Sequence, residues 1–139
     1  MQRRALLLIA LVSAALVVAS GVALAANIKG DGLDNVLTGT PSRDTINPFG
    51  GNDTVDALGG NDDVRHSFGD DTIYGRGGND TLRGGRGTDV IIGGPGIDLI
   101  DCAYLETRAD DEGDIAYADQ EDTVVDCKDV YDDYTTPQF

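Results

Sequence analysis

Between residues 29 and 101, single aliphatic residues recur at near-constant spacing: Val36, Ile46, Val55, Val64, Ile73, Leu82, Ile91 and Ile100. Each stands two positions after an aspartate, at Asp34, Asp44, Asp53, Asp62, Asp71, Asp80, Asp89 and Asp98, so one interval of ten is followed by six of nine. Upstream of each aspartate lies a glycine-rich stretch, most regular in residues 84–91 and 93–100, and the unit reads Gly-Gly-x-Gly-x-Asp-x-aliphatic-x. A fixed short period of this kind marks a stacked repeat. Glycine supplies the positive-φ backbone that a tight turn needs, and the tripeptide around each aliphatic residue forms a short strand whose side chains alternate between two faces. Two units make one coil of a β-solenoid. Stacking coils at about 4.8 Å pairs each strand with the strand two units away and gathers the eight aliphatic side chains in one thin interior. The aspartate closing each turn then meets the turn two units away, where glycine carbonyls are unshielded. Carboxylate and carbonyl oxygens at about 2.3–2.6 Å make a calcium environment.

Outside the repeat the pattern changes twice. Residues 1–4 are a short basic start, Ala5–Val18 is uncharged and apolar, and Ala23-Leu24-Ala25 is a small-residue cleavage pattern, which together predict a secretory signal peptide cut after Ala25. The alternative is a retained membrane anchor, since residues 5–26 carry no charge and are long enough to span. Arg3-Arg4 does not choose between export routes, and the segment has no cysteine for lipidation. After residue 101 the nine-residue period stops. Ile115-Ala116-Tyr117 and Asp122-Thr123-Val124 read as a short strand pair, a cap over the last exposed coil over residues 102–139. Asp110–Asp114 reads as a solvated acidic loop; as an EF-hand it would need glycine at Ile115 and flanking helices. Tyr131–Phe139 is expected to be a frayed tail.

Composition sharpens this picture. The 139-residue chain has 10 basic and 25 acidic side chains, and removing residues 1–25 leaves 8 and 25, a formal charge of −17. Such a surface excludes nucleic acid and anionic membranes as partners. Leu, Ile, Val and Phe make up 24 of those 114 residues, at the border where composition alone predicts disorder. Something besides apolar burial must hold the fold. Cys102 and Cys127 are the only cysteines and, in an exported chain, read as one disulfide worth about 3 kcal/mol; with a single histidine they make a poor zinc set.

The repeat resembles the hemolysin-type calcium-binding repeat of the RTX family, in a small stand-alone form of eight units over residues 26–101. The resemblance implies an all-β, right-handed parallel β-roll with calcium between successive turns, bound by the sixth-position aspartates Asp34, Asp44, Asp53, Asp62, Asp71, Asp80, Asp89 and Asp98 and by carbonyls of the glycine-rich loop. Turns two apart give the pairs 34/53, 44/62, 53/71, 62/80, 71/89 and 80/98, hence at most about six ions. The early units depart from the pattern: the one ending at Asp44 has an extra residue and Pro41-Ser42 in place of glycine, and Pro48, Ala57 and His66 replace the first glycine of later units. A side chain in a positive-φ slot costs of order 1 kcal/mol, so these turns are expected to bind calcium more weakly. His66 reads as an exposed substitution, and Asn52, Asn61 and Asn79 as residues suited to left-handed turn positions.

No catalytic motif stands out: there is one histidine and no Gly-x-Ser-x-Gly, His-Glu-x-x-His or phosphate loop. Paired carboxylates serve glycosidases, but here each is explained by the repeat. The expected function is an exported, non-enzymatic calcium-binding β-roll that folds on binding calcium. The alternatives are a small β-helix enzyme acting on polysaccharide, and a surface or matrix module that contacts cell-wall polysaccharide and uses calcium structurally.

Overall fold

The computed structural model of the protein describes residues 24–103 and 113–132; residues 1–23 of the expected signal peptide 1–25, residues 110–112 of the expected acidic loop and the tail beyond 132 lie outside the described residues. Among the described residues there are thirteen short strands, shared between two parallel sheets, and no helix. One sheet runs β1 (Asn27–Lys29), β3 (Thr45–Asn47), β5 (Asp63–Val64), β8 (Thr81–Arg86), β10 (Leu99–Ala103) and β12 (Thr123–Val125), with β6 (Ser67–Phe68) also on β8. The other runs β2 (Val36–Thr38), β4 (Thr54–Asp56), β7 (Thr72–Tyr74), β9 (Val90–Ile92), β11 (Ile115–Ala118) and β13 (Asp129–Asp132). Every pairing joins strands two units apart, as the repeat predicts: Val55 lies beside Ile73 and Ile73 beside Ile91. The result is a parallel β-solenoid of about five turns.

Ile46, Val64, Leu82 and Ile100 from one sheet and Val55, Ile73 and Ile91 from the other are fully buried in two facing files between the sheets. Most strands give the interior one large side chain, while β6 buries only Ser67, β11 only Ala116 and Ala118, and β13 is exposed, so the core is thin. The first unit corrects the expected register. Leu37 faces inward and Val36 is 81% exposed, with Leu37 beside Val55. The residue preceding this strand is therefore Asn35, and Asn35 to Asp44 is nine residues. No extra residue is present, and the period is nine from the start.

Residues after 101 also differ from the expected strand pair. β11 and β12 lie in opposite sheets, β11 on β9 and β12 on β10, so they continue the solenoid. β13 adds to β11, and Tyr131, expected in a frayed tail, stacks on Tyr117 with ring centroids 5.5 Å apart. Cys102 in β10 and Cys127 just after β12 form the expected disulfide, Cα atoms 5.1 Å apart.

Candidate metal centre

The aspartate that closes each turn points into the solenoid. Asp44, Asp53, Asp62, Asp71, Asp80, Asp89 and Asp98 are each at most 2% exposed. Their carboxylates are held by a regular ladder in which the backbone N–H of one coil donates to Oδ1 of the aspartate 18 residues on. Asp44 N–H donates to Asp62 at 2.7 Å, Asp53 to Asp71 at 2.7 Å, Asp62 to Asp80 at 2.8 Å, Asp71 to Asp89 at 2.9 Å and Asp80 to Asp98 at 2.8 Å. The expected pairs 44/62 through 80/98 are thus brought together through a backbone amide. The pair 34/53 is not: Asn35 donates to Asp53 at 2.7 Å. Asp34 is exposed and accepts from Asn52 N–H at 2.8 Å.

Asp34 belongs to a second, outer ladder that runs the opposite way. Asn52 accepts from Asp70 N–H, Asp70 from Thr88, Asn61 from Asn79, and Asn79 from Ile97, at 2.9–3.2 Å. These asparagines do not take the left-handed backbone expected of them; they tie successive coils together from the outside. The inner ladder also extends past the repeat. Asp89 N–H donates to Asp114 at 2.7 Å and Asp98 N–H to Asp122 at 2.9 Å, so two aspartates missed by the nine-residue spacing complete the stack. Their signal was the Asp-x-Ala of 114–116 and the Asp-x-Val of 122–124, spaced 25 and 24 residues from their partners instead of 18.

The second carboxylate oxygen separates the turns. Oδ2 of Asp62, Asp71, Asp80, Asp89 and Asp98 is buried and has no hydrogen-bond partner. A buried carboxylate oxygen without a donor is costly, and desolvation raises all five carboxyls. Asp62 is raised, Asp71 and Asp80 are pushed up to about 6, and Asp89 and Asp98 to about 7. At Asp98 the Asp122 carboxylate adds repulsion. Asp44 differs: Thr40 donates to it from its N–H at 2.5 Å and from its hydroxyl at 2.9 Å. Asp53, raised by burial, has the Ser67 hydroxyl 3.4 Å from its Oδ2.

Each orphaned oxygen in the regular units faces the first glycine of its own turn. A Cβ on Gly75 would lie 2.7 Å from Asp80 Oδ2 and 2.6 Å from the Gly93 carbonyl; on Gly93, 2.7 Å from Asp98 Oδ2 and 3.1 Å from Asp122 Oδ2. Gly84 is in the same relation to Asp89 Oδ2. At Gly75 the missing side chain leaves a cradle lined by carboxylate and carbonyl oxygen, at Gly93 one lined by two carboxylates and at Gly84 one lined by the Asp89 carboxylate, and such hard oxygens are the donor type of calcium. At Asp53 and Asp62 the same slot holds side-chain carbons of Pro48 and Ala57. These residues do not have positive φ, contrary to the expected strain; the left-handed slot is the next one, where Phe49, Leu58 and Arg76 have φ of 72–79°. His66 is exposed, as expected. Among the described residues no three His, Cys, Asp or Glu side chains form a metal-ligating group.

A family model for the RTX calcium-binding nonapeptide repeat matches the chain in four copies, over residues 29–64 and 67–100. No curated protein and no solved structure matches it. With the repeat, the two parallel sheets and the glycine cradles all in one register, the chain belongs to the RTX calcium-binding repeat family.

Proposed function

We propose that the protein is an exported, non-enzymatic calcium-binding β-roll that takes calcium at Asp62, Asp71, Asp80, Asp89 and Asp98 and folds as it does so. The carrying observation is the row of five buried Oδ2 atoms without a donor, three of which, on Asp80, Asp89 and Asp98, face glycine cradles. Calcium in such a cradle supplies the positive charge that the buried carboxylates lack. The chain does the rest. The ladder of backbone amides fixes each Oδ1 and turns Oδ2 toward the glycine; the glycine leaves room; the carbonyl of the turn two units away completes the oxygen wall. Because one carboxylate is tied to the next through a single amide, filling one turn orders its neighbour, which favours cooperative binding. Ligands that exist only when coils are stacked couple binding to folding. Export is supported by the leader-like residues 1–25 and by the disulfide, a bond suited to an oxidising compartment.

Equilibrium dialysis of the full chain against calcium, with magnesium as control, tests this reading. Several calcium ions per chain are expected at about 10⁻⁴–10⁻³ M, the range of extracellular sites. Magnesium, which demands a smaller octahedral shell, is expected to leave the sites unfilled. Absence of calcium binding at millimolar concentration overturns the reading.

A further inference from the structure

We propose that cleavage after Ala25 makes the α-ammonium of Ala26 the cation of the first turn, seated on Asp44 Oδ1, the inner-ladder position that a backbone amide fills in the later turns. This rests on the export reading above. Two independent observations meet at one residue. The cleavage pattern Ala23-Leu24-Ala25 makes Ala26 the first residue of the processed chain. The structure separately places Ala26 N 2.6 Å from Asp44 Oδ1, as the lowest rung of the inner ladder. The Ala26 carbonyl accepts from Thr45 N–H at 2.9 Å, so the residue is tied on both sides. Leu24 and Ala25 are exposed, Leu24 at 75%, which leaves the 25–26 bond at the edge of the fold.

Before cleavage, the donors to Asp44 among the described residues are neutral: the Ala26 amide, the Thr40 amide and the Thr40 hydroxyl. Asp44 is 1% exposed, so its charge has little help from water. Cleavage converts one of those donors to an ammonium without moving it, and a charge-assisted hydrogen bond is about twice as strong as a neutral one. Among the described residues no coil precedes the first one to donate a turn. The mature terminus serves that purpose, and processing thereby locks the open end of the solenoid.

The test uses full chain cleaved by signal peptidase in membrane vesicles and held in saturating calcium. N-terminal sequencing is expected to begin at Ala26. Acylation of its amine by an amine-specific reagent is expected to be at least about tenfold slower than in Asp44→Asn, the protection due to a charge-assisted bond. The bound-calcium count is expected to be equal in both, so a failure of the calcium reading is seen separately. If Asp44→Asn does not fold, the rate for the processed chain in denaturant is the reference. A cut at another bond, or an Ala26 amine that reacts as fast as either reference, overturns the proposal.

Discussion

At Asp44 both carboxylate oxygens are met by protein donors, from Ala26 and Thr40. At Asp80, Asp89 and Asp98, in an identical position of the same repeat, one oxygen is met and the other is buried against a glycine. The turns between them grade from one condition to the other: Asp53 has the Ser67 hydroxyl, and Asp62 has Ala57 in its cradle. The carboxyl pKa values rise in the same direction, to about 6 at Asp71 and Asp80 and about 7 at Asp89 and Asp98. One fold thus contains a start that satisfies its own charge and a later half that leaves charge for a cation. Spacing is common to both; what differs is whether a threonine, a serine or nothing reaches Oδ2.

Acid offers the largest effect on this contrast. The unfolded carboxyls titrate near 3.8, whereas those of Asp71, Asp80, Asp89 and Asp98 in the folded chain titrate at about 6–7. Stability from these groups is fully present below 3.8 and is lost as pH rises through 6–7, when the folded chain must ionise buried carboxyls. The calcium-free chain is therefore expected to be β-rich near pH 5 and to lose that signal by pH 8, by several kcal/mol in sum. Circular dichroism in stripped buffer reads this; a signal independent of pH breaks the contrast.

The disulfide comes next. It pins the later half, joining adjacent strands β10 and β12 across a separation of 25 residues. Reduction, or a double Cys→Ser variant, is expected to cost about 3 kcal/mol and to raise the calcium midpoint without changing the number of ions, measured by titration with and without reductant.

Single carboxylates sharpen the comparison further. Asp89→Asn is expected to lower the calcium count while moving upward the pH at which the calcium-free chain loses its β signal, because one buried charge is removed. Asp44→Asn is expected to leave the count unchanged and to destabilise the calcium-loaded chain by about 1–2 kcal/mol, through weaker bonds from Thr40 and Ala26. Dialysis counts the ions, circular dichroism against pH in chelator reads the first variant, and urea unfolding in calcium reads the second; equal behaviour of the two variants removes the distinction.

Much of this was legible in the sequence and some was not, for reasons specific to single residues. The nine-residue spacing gave the two sheets, the inward-facing residues from Ile46 to Ile100 and the stacked aspartates from Asp44 onward. The first unit misled because Asp34 and Asn35 are adjacent and either could close the turn; only the neighbour strand shows that Leu37, not Val36, has a partner. Asp114 and Asp122 were hidden because residues inserted before them break the period while the backbone pairing survives. The role of Thr40 depends on a side chain four residues from its target reaching across a turn, which no period encodes. Glycine spacing predicts tight turns and unshielded carbonyls, but not how closely Oδ2 of Asp80, Asp89 and Asp98 approaches the first glycine of its turn.

That last point is tested by a pair of glycine variants. Gly84→Ala would drive a methyl into the Asp89 carboxylate, whereas a Cβ on Gly77 meets nothing within 4 Å. The first is expected to cost about 1–3 kcal/mol and to weaken calcium binding; the second is expected to stay within about 0.5 kcal/mol. Thermal melts in calcium compare them directly.

The central claim is that the later carboxylates need a cation for the roll to close, and far-UV circular dichroism of the full chain during a calcium titration from excess chelator at pH 7.5 tests it most directly. The chain is expected to be largely disordered in chelator and to gain a cooperative β signal at about 10⁻⁴–10⁻³ M calcium. A spectrum already β-rich in chelator and unchanged by calcium would contradict it.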